Sequence, residues 1–286
     1  MSRFLLFSML FVLLLPASAM AAPPYDIAVV GLEKIEPSRR QARFDFVARE
    51  LALTISGPPG YAAAALGMYE AELAFENRVS FIHAAADTGE SSSPWDDLTE
   101  SGEADSVAFL PGVMIRKGLP FSFEVGGRMS WFTGSRQFVV GGFGRWVPFG
   151  NWDKVPDISI GMGYDGLVGN DQLELGTFHL DLSLGYSFKL NLRGTRPGTR
   201  FSPFAGYQFL QSHARPGVSV DQVGAVTGWA ENAAPGVDPR SFRYHRGFVG
   251  MEVRGGGFAF RFAFDAGFPR SAPIVAGLNV TLALRF

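Results

Sequence analysis

The fold class this sequence predicts is all-β: a closed antiparallel transmembrane β-barrel of about ten strands, with a short N-terminal helix and a cleavable signal peptide. Three observations predict it. Apolar residues recur at every second position in long blocks, the positions between them are small or ionic, and the two long connections between blocks are both odd-to-even.

Composition narrows the field first. Of 286 residues, 47% are hydrophobic and 18% charged, with 35 Gly and 27 Phe. So apolar and aromatic a chain is neither disordered nor collagen-like. With no cysteine there is no disulfide scaffold, thiolate metal site or cysteine nucleophile. A net charge of −2 gives no basic footprint, so no nucleic-acid partner is expected.

The chain opens as a secretory signal peptide does. Arg3 is the one charge before an apolar run from Phe4 to Leu15, and small residues follow, with Ala19 and Ala21 suiting the −3 and −1 positions of a cleavage site. The alternative is an uncleaved anchor, but a core of about a dozen residues is short for a bilayer that needs roughly 20. Residues 1–21 are therefore assigned as signal, 22–62 as a periplasmic N-terminal segment, and 63–286 as barrel. Within Ser38 to Ile55, the spacing of Phe44, Val47, Leu51 and Ile55 is helical. Such a helix could plug the lumen, lie at the periplasmic mouth, or belong to a plain extension.

The strands are expected at about 63–83, 105–116, 120–132, 135–148, 155–167, 173–190, 199–212, 240–253, 256–267 and 276–286. In the last, Leu278, Val280, Leu282 and Leu284 alternate with Asn279, Thr281, Ala283 and Arg285. Before it, Phe258, Phe260, Phe262 and Phe264 alternate with Ala259, Arg261, Ala263 and Asp265. A strand sends successive side chains to opposite faces, so each block has one oily face and one small or ionic face. In a soluble sandwich the oily face packs inward, and in a membrane barrel it meets lipid. The other faces are rich in Gly, Ala and Ser rather than Lys and Glu. The blocks are also about 10–15 residues long, against ~5–6 in globular proteins. Both features favour lipid contact by the eight Phe, Leu and Val side chains above. Slipping the register by one residue would expose Arg261, Asp265, Asp181 and Lys189 to lipid. Trp131, Phe132, Trp146, Trp152 and Tyr164, near segment ends, suit interfacial girdles.

Even-to-odd connections are short, and the two long ones, 84–104 and 213–239, are odd-to-even. Bacterial outer-membrane barrels have short periplasmic turns and longer outer loops. With its signal peptide, alternating strands and terminal Phe286, the region 63–286 resembles the Gram-negative outer-membrane β-barrel class. That resemblance implies integral outer-membrane location, lipid as surroundings, and recognition of Phe286 by the barrel-assembly machinery. It implies no particular activity.

The inner face collects Glu70, Glu72, Glu76, Arg78, Arg116, Glu124, Arg128, Arg145, Asp165, His179, Asp181, Lys189, Glu252, Arg261 and Asp265. Ten strands enclose little more than the eight whose side chains nearly fill a barrel, so these charges should pair and largely block the lumen. The function expected is non-enzymatic: structural, or restricted passage of a small solute. Two alternatives stand beside it. His179, Asp181 and Ser183 share one face, as a hydrolase or acyltransferase would need, and the loops 84–104 and 213–239 could serve an adhesin or receptor. Gly161-Met162-Gly163-Tyr164-Asp165-Gly166 matches GxGxxG, but it lies within a strand with no helix after it, so no nucleotide cofactor is expected. Loop 84–104 carries Asp87, Glu90, Asp96, Asp97, Glu100 and Glu103 without EF-hand spacing, so it is expected to be a solvated loop and no metal is assigned.

Overall fold

The computed structural model describes residues 26–57, 65–84, 92–149, 155–190, 198–217, 237–269 and 273–286. The expected signal peptide, Trp152, Asp87, Glu90 and residues 218–236 of the second long loop lie outside them.

Ten antiparallel strands close into a barrel. They are β1 (Ala71–Phe81), β2 (Val107–Gly118), β3 (Phe123–Trp131), β4 (Phe138–Phe149) and β5 (Asp157–Val168). The second half is β6 (Leu173–Gly185), β7 (Arg200–Pro216), β8 (Arg240–Gly255), β9 (Phe258–Pro269) and β10 (Val275–Arg285). Each strand pairs with its sequence neighbours. The first and last close the ring, with Val79 opposite Leu278 and Phe75 opposite Leu282. Closure removes the exposed edges that an open sheet would offer for aggregation.

The period-2 pattern becomes the two faces of this wall. Phe258, Phe260, Phe262 and Phe264 are exposed on the outside, while Arg261 among them and Asp265 after them are each only 2% exposed. Leu278, Val280, Leu282 and Leu284 also point outward, half-buried by their neighbours, and Asn279, Thr281 and Ala283 point in. Val113, Ile115, Val140, Ile160, Leu182 and Val249 continue the apolar belt around the barrel. Soluble monomers rarely expose contiguous apolar surface beyond a few hundred Å². Phe123 and Trp146 stack on the outer surface near the short-turn end, with centroids 5.7 Å apart.

Three placements differ from the sequence expectation. Phe132 is fully buried rather than interfacial, because even positions of β3 face inward and Phe132 follows Glu124 and Arg128 on that face. Glu70 is exposed, since it precedes β1 and turns back to accept the Gly67 N–H at 2.9 Å. Lys189 is exposed as well. The expected strand 173–190 breaks after Gly185, and only a two-residue ladder, Phe188–Lys189, resumes opposite Phe201 and Arg200.

Helix α1 (Pro37–Ile55) opens with Pro at its first position and lies inside the barrel. Phe44, Val47, Leu51 and Ile55 are all buried and pack on the inward residues Leu110, Phe132, Leu167, Leu210 and Tyr244 in one apolar core. All these wall residues belong to the half of the barrel that carries the long connections. The segment upstream of α1 also lies at that end. Ile27 bridges to Thr99, the Ala28 N–H donates to Leu98 O at 2.7 Å, and the Val30 N–H donates to Gln172 Oε1 at 3.0 Å. A one-turn helix, α2 (Pro94–Asp97), caps this end, with Ser93 and Asp96 forming a capping box.

Candidate functional site

The barrel axis is the candidate site, and its inward side chains form two layers. The layer nearer the short turns is a belt of ion pairs. Because strand pairing sets Glu72 opposite both Arg116 and Arg285, Glu124 opposite Arg145, and Arg261 opposite Glu252, each carboxylate meets a guanidinium across the ladder. The pairs then link sideways. Arg145 reaches Glu124 at 2.9 Å, Arg116 reaches Glu124 at 3.2 Å and Glu72 at 2.8 Å, and Arg261 reaches Glu72 and Glu252 at 2.6 Å each. Arg285 completes the belt at 2.8 Å from Glu72 and 3.4 Å from Glu252. It crosses seven consecutive strands, from β4 through β1 and β10 to β8. All its members are buried or nearly so, and charges removed from water in this way persist only when paired and hydrogen-bonded. Glu76 is buried on the same inner face.

The second layer grips the end of α1. A helix leaves its last carbonyls without intrahelical donors, and partial negative charge gathers there. Three wall arginines supply the donors. Arg128 donates to Ile55 O at 3.1 Å, Arg78 donates to Ser56 O, and Arg246 donates to Leu53 O, to Ser56 Oγ at 2.6 Å and to Gly57 O at 3.1 Å. Two aspartates balance them. Asp265 lies 3.2 Å from both Arg78 and Arg246, and Asp165 lies 2.6 Å from Arg128 while accepting the Gly57 N–H at 2.8 Å.

Beside this clamp, His179 sets Nε2 3.4 Å from Asp165 and Nδ1 3.2 Å from Asp181. Ser183 bonds Ser159 at 2.5 Å rather than His179. A base–nucleophile pair needs a ring nitrogen facing the hydroxyl, and here both nitrogens face carboxylates. The adjoining cavity, lined in part by Arg128, Arg145, Ser159, His179 and Asp181, measures about 30 Å³, room for a water or two. Two glycines of the GxGxxG stretch, Gly161 and Gly163, make space for this cluster. A Cβ on Gly163 would lie 2.5 Å from His179 Nε2, whereas one on Gly166 would meet nothing closer than 3.8 Å.

At the long-connection end the carboxylates face protein donors. Asp97 pairs with Arg43 and accepts from Ser92 Oγ at 2.8 Å, Asp96 accepts the Ser93 and Ala104 N–H groups, and Glu100 lies 2.8 Å from Arg136. Glu103 is exposed. Among the described residues no group of three or more His or acidic side chains could hold a metal ion. Asp26 bonds Arg136 at 2.5 Å, which with Glu100 raises that guanidinium above its ordinary pKa.

Several members of the site are additional to the sequence-derived set. Arg246 and Arg285 lie on inward parity with Glu252 and Thr281, a signal present in the sequence. Glu50 carried no such signal. It sits on the buried face of α1, where it accepts Trp95 Nε1–H at 2.7 Å and the His83 N–H at 3.0 Å.

No known family model and no curated protein sequence matches the chain. Among solved structures it is similar to the attachment invasion locus protein Ail of Yersinia pestis, in complex with the heparin analogue sucrose octasulfate, at 10% identity and a TM-score of 0.29 over 76% of this chain and 98% of that one. It is similar also to the N-terminal β-barrel domain of Pseudomonas aeruginosa OprF, at 10% identity and a TM-score of 0.30 over 75% and 97%. A third is Neisserial surface protein A, at 6% identity and a TM-score of 0.32 over 77% and 96%.

Proposed function

We propose that this protein is an integral outer-membrane barrel of a Gram-negative cell, exported with its short turns in the periplasm, whose lumen is held shut by its own N-terminal helix. Its role on this reading is structural and non-enzymatic, and passage of a small solute would require α1 to move. The observation that carries it is the arginine clamp: Arg78, Arg128 and Arg246, from three different strands, all close on the final turn of α1. A pore built to conduct would leave those guanidiniums to a solute. The apolar outer belt supports membrane residence, and the long connections at one end support the orientation. Phe286 pairs its backbone with Ala71 at 2.8 Å and leaves its ring exposed, consistent with a terminal signal for the barrel-assembly machinery.

Single-channel recording tests the proposal. In planar bilayers the intact chain should give a flat trace. A chain lacking residues 26–57, verified as folded by its heat-modifiable gel mobility, should give discrete current steps. Steps from the intact protein at the same frequency would remove the proposal.

A further inference from the structure

We infer that the exported chain is threaded through its own barrel, so that its N-terminus is presented on the outer surface of the cell while its C-terminus lies in the periplasm. Resting on the orientation proposed above, this goes beyond closure of the lumen. It follows from where the two ends of the luminal segment are tied.

Upstream of α1, the chain is bonded to three separate connections of the long-connection end. Asp26 pairs with Arg136 between β3 and β4, Ile27 bridges to Thr99 between β1 and β2, and Asn170 Nδ2 between β5 and β6 donates to Ile27 O at 3.1 Å. The beginning of α1 stays at that end, where Gln41 Oε1 accepts the Asp238 N–H at 2.7 Å. The end of α1 is held by the clamp on the inner wall. Beyond it, the Leu66 N–H donates to Glu124 Oε1 at 2.6 Å, within the belt near the short turns. The segment therefore runs in one direction from the long connections to the start of β1.

Chain length forbids a return. With the signal peptide removed after Ala21, four residues precede Asp26, and they reach at most ~14 Å even when fully extended. The apolar wall of such a barrel is ~25 Å tall, and the lumen is already occupied by α1 and its core. An N-terminus fixed at Asp26 thus stays on that side.

The chain has no cysteine, so single cysteines report topology cleanly. Four variants are labelled with a membrane-impermeant maleimide on intact cells, on cells with permeabilised outer membranes, and after denaturation to set full labelling. They are Glu36→Cys, a cysteine in a short Gly-Ser insert between Ala22 and Pro23, Glu103→Cys in the long connection, and Tyr69→Cys beside the short turns. Glu36, Glu103 and Tyr69 are all exposed. The expected result is that the first three label on intact cells and Tyr69→Cys only after permeabilisation. If the Glu36 and insert cysteines behave like Tyr69→Cys, threading is overturned while the orientation stands. If Glu103→Cys and Tyr69→Cys exchange behaviour, the orientation and surface presentation of the N-terminus are overturned together.

Discussion

Glu72 shows what a single inward residue does in this wall. Its carboxylate accepts from Arg116, Arg261 and Arg285, on three different strands, and it is fully buried. Taking one partner out of a buried ion network leaves the rest uncompensated, at a cost of about 3–5 kcal/mol. Glu72→Gln keeps the shape but leaves the three guanidiniums facing a neutral amide, so it should lower stability by that order. The midpoint of the heat-modifiable gel transition, or of urea unfolding in lipid vesicles, reads the loss; a midpoint equal to that of the unsubstituted chain would mean the belt is stabilised elsewhere. Residues of this kind were legible in the sequence because parity along a strand is a strict rule. The same rule placed Glu70 and Lys189 inside by running past the strand ends, where the pleat no longer fixes direction. Phe132 was misassigned by its proximity to a strand end, although parity with Glu124 and Arg128 put it inward. Arg246 and Arg285 also had the right parity. What parity could not give was the partner each would meet, because that depends on register between strands distant in sequence.

Helix α1 is the element on which closure rests, and its sequence told only half of its story. The spacing of Phe44, Val47, Leu51 and Ile55 fixes an apolar face, but an amphipathic face would be buried equally well at the mouth of a barrel or within it. The choice is made by apolar inward residues on several strands and by the three arginines that meet the helix end. Of these, Arg246 makes the most bonds to that end, reaching Leu53 O, Ser56 Oγ and Gly57 O. Arg246→Ala strips donors from buried acceptors, each worth about 1–3 kcal/mol when left unmade, and leaves Asp265 with Arg78 alone of the two. The barrel should persist, since the strand ladders do not depend on this side chain, while the last turn of α1 loosens. Hydrogen exchange is the suitable measurement. Amides of residues 53–57 should exchange at least about tenfold faster, by the 1.4 kcal/mol-per-decade relation, with strand amides unchanged. Equal acceleration across the strands would instead make Arg246 a general support of the barrel.

At the scale of the whole molecule, three environments are nested. The lumen near the long connections is an apolar core of the kind found in water-soluble proteins, built from α1, the upstream segment and the inner wall. The lumen near the short turns is ionic, and the outer surface is a continuous apolar belt. Barrel class was legible because the two-faced strand pattern is long and recurs along the chain, and because the two longest connections fall at the same end. The threaded path of the N-terminal segment was not, because nothing in an amphipathic helix says from which end it enters. The nesting makes a prediction that separates a membrane barrel from a secreted soluble one. Phe262 is 36% exposed in the middle of β9, flanked by the inward Arg261 and Ala263. On a soluble protein, charge at such an outward position would change stability by no more than ~0.5 kcal/mol. In lipid, an arginine near the midplane costs about 2–4 kcal/mol. Phe262→Arg should therefore lower unfolding free energy in vesicles by that amount and reduce the yield in the membrane fraction. The same substitution at Phe258, beside the turn that joins β8 to β9, should cost less than half as much because the side chain can reach the headgroups. Equal and negligible effects at both positions would show that the belt meets water, and the membrane assignment would fall with it.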